Sequence, residues 1–193
     1  MATIVVDAGH GGRDPGASGP TGLLEKDANL QYAISLGYYL RKAGHNVIFT
    51  RTTDKDFAGT AYSETDDLAG RVAIANAANA DLFVAIHMNA SSDPAGKGSE
   101  TYSYPGAVAA GKLSALVQEQ LVFFTDTRDR GAKTAHFYVL HHTNMPSILV
   151  EVAFISNPDE EKLIADHAFR VKAAVGMFEG IQQYLAQVGK PNA

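Results

Sequence analysis

Short apolar runs recur along the chain at Ile4–Val6, Val47–Phe49, Leu82–Ile86, Phe137–Leu140 and Ile148–Val150, with a more polar run at Thr101–Tyr104. Most are apolar at consecutive rather than alternate positions, the pattern of strands buried on both faces. Such strands need helices on either side of the sheet, and helical spacings lie between them. The first is Leu30, Ala33, Ile34, Gly37 and Leu40, and the second is Leu68, Val72 and Ala75. A third runs through Leu113, Leu116, Val117, Leu121 and Phe124, and the last through Ala174, Met177, Phe178, Ile181 and Leu185. Asp27 is placed to cap the first helix and Gly44 to end it. The alternation predicts an α/β fold: a mostly parallel sheet flanked by helices on both faces, with right-handed crossovers between parallel neighbours.

At 193 residues, 46% of them hydrophobic, the chain is long enough for one well-buried domain and short for two. No internal repeat or interdomain linker interrupts it. Thr52–Asp67 and Ser91–Lys97 are polar enough to be loops, and the domain is expected to span residues 1–188, with 189–193 a frayed tail. A monomer is expected. Sixteen Lys and Arg against 21 Asp and Glu give a formal charge of −5. That balance excludes a polybasic protein held by nucleic-acid phosphates or by an anionic lipid surface. No apolar run approaches the roughly 20 residues needed to cross a bilayer, so neither nucleic acid nor membrane is an expected partner. With no cysteine, disulfides, thiolate metal sites and a cysteine nucleophile are all excluded. The stretch Met1–Asp7 has no basic region, long apolar segment or cleavage site. The chain is accordingly expected to be either a cytoplasmic product or the mature or excised catalytic part of an exported one.

Chemistry gathers at the ends of three strand candidates. The first runs into Asp7-Ala8-Gly9-His10-Gly11-Gly12, a glycine-dense turn carrying one histidine. It is not a dinucleotide fingerprint, because Asp14 stands where the third glycine belongs and the helix begins only near Asp27. It is not a phosphate loop either, since no Gly-Lys-Ser/Thr follows. The strand Leu82–Ile86 runs straight into His87, and Ser147–Val150 into Glu151. In open α/β sheets ligands collect beyond the carboxyl ends of the strands, so His10 and His87 can converge there. Glu151, directly after core strand, is costly to bury without a proton or a cation to hold. Two histidines plus a carboxylate and an open position form a known catalytic zinc set. Spacing leaves the third ligand open among Asp7, Asp14, Glu25 and Glu100, and Glu25 also suits a helix entry for electrostatic reasons alone.

These residues, in order, resemble the zinc-dependent N-acetylmuramoyl-L-alanine amidases of the type 3 amidase family. The resemblance rests on Asp7 through Ala17, Glu25, Arg71 through Asn76, Ala85 through Ala90, Gly98 through Tyr102, Phe137 through Leu140, Met145 through Glu151 and Phe154 through Pro158. It covers nearly the whole chain, from Thr3 to about Leu185. It implies a twisted six-stranded sheet, zinc (Zn2+) held by His10, Glu25 and His87, and Glu151 as the catalytic carboxylate. The implied substrate is peptidoglycan, cut at the amide between N-acetylmuramic acid and the first L-alanine of the stem peptide. The setting is then the cell wall, reached by an exported catalytic domain or by a phage endolysin released from the host cytoplasm. A wall-binding module outside this chain is expected, because a charge of −5 will not draw it to an anionic wall. A zinc carboxypeptidase or endopeptidase acting further along the stem peptide is the alternative.

Other residues have smaller expected roles. Asp7 or Asn89 would orient the ligand histidines from behind, Arg71 would be a structural anchor, and Glu100 would be structural or substrate-orienting. His141 and His142 stand where relatives often carry arginine, and Ala153 where they often carry glycine; surface histidines of this kind usually have no measurable role. The roughly 35 residues between Glu100 and Phe137 are mostly one amphipathic helix, without the extra inhibitory helix of some relatives, so an open site is expected.

Overall fold

The computed structural model describes residues 1–189. Its elements run β1 (Thr3–Ala8), α1 (Glu25–Lys42), β2 (Asn46–Phe49), α2 (Glu64–Ala77), β3 (Leu82–Asn89), β4 (Ser99–Ser103), α3 (Val108–Thr125), β5 (Asp129–Thr134), α4 (Tyr138–His142), β6 (Ser147–Phe154), α5 (Pro158–Ala165) and α6 (His167–Gln187). One six-stranded sheet has the order β2-β1-β3-β6-β4-β5. Every neighbouring pair is parallel except β4 with β6, so the mostly parallel α/β fold predicted from the pattern is the one observed. The expected tail, 189–193, lies outside the described residues except for Gly189.

Two apolar layers follow from the period-2 alternation of the strands. Ile4, Val6, Val84, Ile86, Ile148 and Val150 face α1, α3 and α6 in the larger core. Val5, Phe83, Ala85 and Leu149 face the other way, against Val72 and Ala75 of α2 and Val139 and Leu140 of α4. Asp7, His87 and Glu151 continue this second series, so each lies on the α2–α4 side where the apolar cover ends.

Four local expectations differ from the structure; the first is the loop Thr52–Asp67, whose last four residues already belong to α2. Phe137–Leu140 is not a strand: Tyr138–His142 forms the short helix α4, whose Val139 and Leu140 seal the smaller core. The sixth strand is instead β5, Asp129–Thr134, half exposed at the sheet edge. An edge strand needs no apolar run, and a four-residue apolar run cannot by itself distinguish strand from helix. The first helix also begins before Asp27. Glu25 starts it, its N–H bonded to the Ala17 carbonyl at 2.9 Å, and Asp27 lies within the first turn rather than capping it. Gly44, at φ 82°, ends the turn after that helix as expected.

Candidate metal and catalytic centre

The turn after β1 must leave the sheet and double back within a few residues. His10 takes a left-handed backbone conformation, φ 60°, which is unfavourable for a non-glycine residue and must be held by its surroundings. Two fully buried arginines hold it. Arg51 donates to the carbonyls of Ala8 and Gly9 at 2.9 and 3.0 Å, and Arg71 donates to those of Ala8 and His10, both at 2.7 Å. Arg71 is itself gripped by Asp7 and Asp67 at 2.9 Å each, the anchoring role expected of it. Glycine is required at two positions here. A Cβ on Gly9 would stand 2.2 Å from the His87 ring, and one on Gly16, where φ is 65°, would stand 2.6 Å from Glu25 Oε2 and 2.7 Å from His10.

Within that frame the structure brings His10, Glu25 and His87 together. Glu25 Oε1 lies 3.2 Å from His10 Nε2 and 3.0 Å from His87 Nδ1, and the two rings meet edge to face at 4.9 Å. One ligand atom from each residue falls within a 4.8 Å cluster. Of the four carboxylates open for the third position, Glu25 therefore joins the histidines. Its Oε2 accepts the Ala17 N–H at 2.8 Å, which fixes the carboxylate plane. Asp7 is taken up by Arg71 and Thr50. Glu100 lies one strand further out, where it accepts from Asn89, Arg130, Lys133 and Tyr102.

Asp14 is in contact with His10: its Oδ2 lies 2.6 Å from Nδ1. The expected orienting partners, Asp7 and Asn89, touch neither imidazole, because Arg71 and Glu100 have claimed them. Asp14 on Nδ1 leaves Nε2 facing Glu25, so the lone pair of the neutral ring points into the cluster. Nothing in the spacing singled out this role for Asp14, and Arg51 carried no motif signal at all.

The electrostatics are compatible with a cation at the cluster. Burial by itself would lower the His10 pKa, but the Glu25 and Asp14 carboxylates outweigh it and raise it to about 9. Burial likewise would raise that of Glu25, yet hydrogen bonds from His10 and His87 hold it far below the usual carboxylate range. Two imidazoles and one carboxylate in reach of a single point are a donor set suited to a divalent metal that prefers nitrogen and oxygen.

Glu151 sits opposite. It pairs in register with His87 on the neighbouring strand β3, and His10, His87 and Glu151 line one cavity of about 260 Å³ between α2 and α4. Glu151 Oε2 is buried without a hydrogen-bond partner among the described residues. Burial, reinforced by the negative charges of Glu25 and Glu100, raises its pKa well above the ordinary carboxylate value. It stands outside the metal cluster, free to hold a proton. His141 stacks on Tyr104 at 4.5 Å and His142 packs at a tilt on Tyr138, and neither histidine lines the cavity. Ala153 is fully buried.

Comparison with known proteins supplies the family. The sequence pattern of the N-acetylmuramoyl-L-alanine amidase family matches residues 4–183. N-acetylmuramoyl-L-alanine amidase LytC of Bacillus subtilis is 40% identical over 94% of this chain, which spans only 35% of LytC. The endolysin of Bacillus phage SPP1 is 38% identical, the match covering 96% of this chain and 67% of the endolysin. Among solved structures, the N-acetylmuramoyl-L-alanine amidase of Clostridium difficile 630 superposes with a TM-score of 0.87 at 35% identity, covering 96% of this chain and 97% of its own. Strand-end histidines, a glutamate with one buried, unpartnered oxygen and these matches agree: the chain belongs to the N-acetylmuramoyl-L-alanine amidase family of cell-wall hydrolases.

Proposed function

We propose that this chain hydrolyses the amide between N-acetylmuramic acid and L-alanine in peptidoglycan, with zinc held by His10, Glu25 and His87 and with Glu151 as the proton carrier. The observation that supports this most is the separation of two kinds of carboxylate: Glu25 shared between two imidazoles, and Glu151 nearby, with one buried oxygen that has no partner among the described residues. Held by His10, Glu25 and His87, zinc would supply Lewis acidity and would make a water at the site more acidic.

The chain's own groups do the rest. Asp14 keeps the His10 proton on Nδ1, so that Nε2 stays available for ligation. Glu151 accepts the proton of the attacking water and delivers it to the leaving alanine nitrogen, as base and then as acid. A raised pKa suits both halves of that cycle, since a carboxylate of ordinary acidity gives up its proton too readily to act as the acid. Phe137, Tyr138 and Leu149 line the same cavity and form the apolar part of its wall beside the carboxyl group.

The proposed setting is the cell wall, reached by export or by release from a phage-infected host. No helix among the described residues is long and apolar enough to cross a membrane. We propose a monomeric catalytic domain whose wall affinity comes from its cleft or from a module outside these residues, since its net charge is negative.

Mass spectrometry of digested peptidoglycan tests the bond assignment. The expected products are stem peptides with free L-alanine amino termini and glycan strands without new reducing ends. Shortened stems that remain on muramic acid would instead mean a carboxypeptidase or endopeptidase.

A further inference from the structure

The cleft has two unlike rims. On the α2 side stand Asp14, Glu64 and Asp67, of which Asp67 is neutralised by Arg71. On the other side the floor continues across the sheet. Glu151 pairs in register with Glu100, Leu149 pairs with Tyr102, and Tyr102 pairs in turn with Lys133 on the edge strand β5. The helix that packs on β4 and β5 is α3, and it lies on the opposite face: Thr101 Oγ1 bonds to the Ser114 carbonyl while Glu100 and Tyr102 point the other way. The strip from Glu151 to β5 is thus a shelf leading out of the cavity, bordered by Tyr102 packed at 5.3 Å on the cavity-lining Phe137.

Two cations end this shelf. Arg130 Nε and Lys133 Nζ both reach Glu100 Oε2, Arg130 at 2.7 Å. Glu100 has one charge to set against two. Arg130 also lies over the Phe154 ring at 4.7 Å, reaches the Lys97 carbonyl and stands within the field of buried Glu160, so it is held at the far end of the shelf. The Lys133 ammonium has three donors and uses one on Glu100; it lies over the shelf's Tyr102 ring at 5.9 Å, and its side chain is 37% exposed. The shelf therefore offers a partly exposed, preoriented cation beyond Glu151, on the side of the cleft away from α2.

Strand spacing sets the distance: Lys133 Nζ reaches Glu100, whose backbone pairs with Glu151 one strand away, so the ammonium stands between one and two strand spacings, about 5–10 Å, from the Glu151 backbone. An extended peptide covers about 3.3–3.6 Å per residue, so the group that meets Lys133 lies about two residues beyond the scissile amide. In the stem peptide the second residue is D-glutamate joined through its γ-carboxyl, which leaves the α-carboxylate free at that place. Building on the amidase reading above, we propose that Lys133, held in place by Glu100, forms a carboxylate subsite for the second stem residue and makes the enzyme prefer glutamate there over its amide, isoglutamine.

The test uses the full chain loaded with zinc and soluble, uncrosslinked glycan strands with tripeptide stems, prepared with either D-glutamate or D-isoglutamine at the second position. A charge-assisted hydrogen bond predicts about ten- to a hundred-fold higher kcat/KM for the acid form, carried mainly by KM. Lys133→Gln should erase that preference by losing rate on the acid substrate alone, and Lys133→Arg should restore most of it. Because the readout is a ratio within one preparation, a partly unfolded variant does not imitate it. Equal loss on both substrates, or a preference that survives Lys133→Gln, overturns the subsite and leaves the amidase assignment intact. Failure of the wild type to cleave either strand overturns both.

Discussion

At the scale of single residues, the arrangement turns on which protons are where. His10 has a pKa of about 9 without a cation because Glu25 and Asp14 favour its charged form over the opposing effect of burial. A ligating imidazole must be neutral. Metal binding near pH 7 should therefore release a proton, and apparent affinity should weaken by about tenfold for each pH unit below about 9 until other ligands also protonate. Calorimetric titration of zinc into the metal-free protein, in buffers of different ionisation enthalpy, measures that proton directly. No release at pH 7 would contradict the linkage drawn between His10 and its two carboxylates. His10, Glu25, His87 and Glu151 were all visible in the sequence as polar residues at the ends of apolar strands or in the loop between them. The choice of Glu25 over Asp7, Asp14 and Glu100 was not legible in spacing, because it depends on which carboxylates other groups claim. Arg71 and Thr50 take Asp7, His10 takes Asp14, and two cations take Glu100.

At the scale of elements, the turn after β1 depends on α2 through Arg71. This guanidinium is 1% exposed and joins Asp7 at the end of β1, Asp67 on α2 and two turn carbonyls. Arg71→Met keeps the bulk but leaves two buried carboxylates uncompensated, so a loss of about 3–5 kcal/mol is expected in denaturant unfolding of the metal-free protein. A loss below about 1 kcal/mol would mean that the carboxylates find water or protons at little cost. Element prediction from pattern succeeded where burial was strong on both sides, as in β1, β3 and β6. It failed at α4 and β5 because apolar content measures burial rather than backbone geometry. Phe137–Leu140 is apolar since it roofs the smaller core, whereas β5 is polar since one of its edges is free and its cleft face carries Lys133.

At the scale of the molecule, the sheet brings side chains from both ends of the sequence to one cavity, with α2 and α4 as its walls. The long connection between β4 and β5 is spent on α3, which packs against α6 on the far face, and none of its described residues lines the cavity. The purified, zinc-loaded chain should therefore cleave peptidoglycan at low concentration without any activating protein; strict dependence on an added partner would refute the open-site expectation. The division of labour between Glu25 and Glu151 is tested most directly by metal content and turnover measured together in the wild type, His87→Ala and Glu151→Gln. We expect one zinc per chain in the wild type, none retained in His87→Ala, and in Glu151→Gln a full zinc complement with turnover lower by about 10²–10⁴-fold. Loss of zinc from Glu151→Gln, or near-normal turnover by it, would contradict a carboxylate that carries protons beside the metal without holding it.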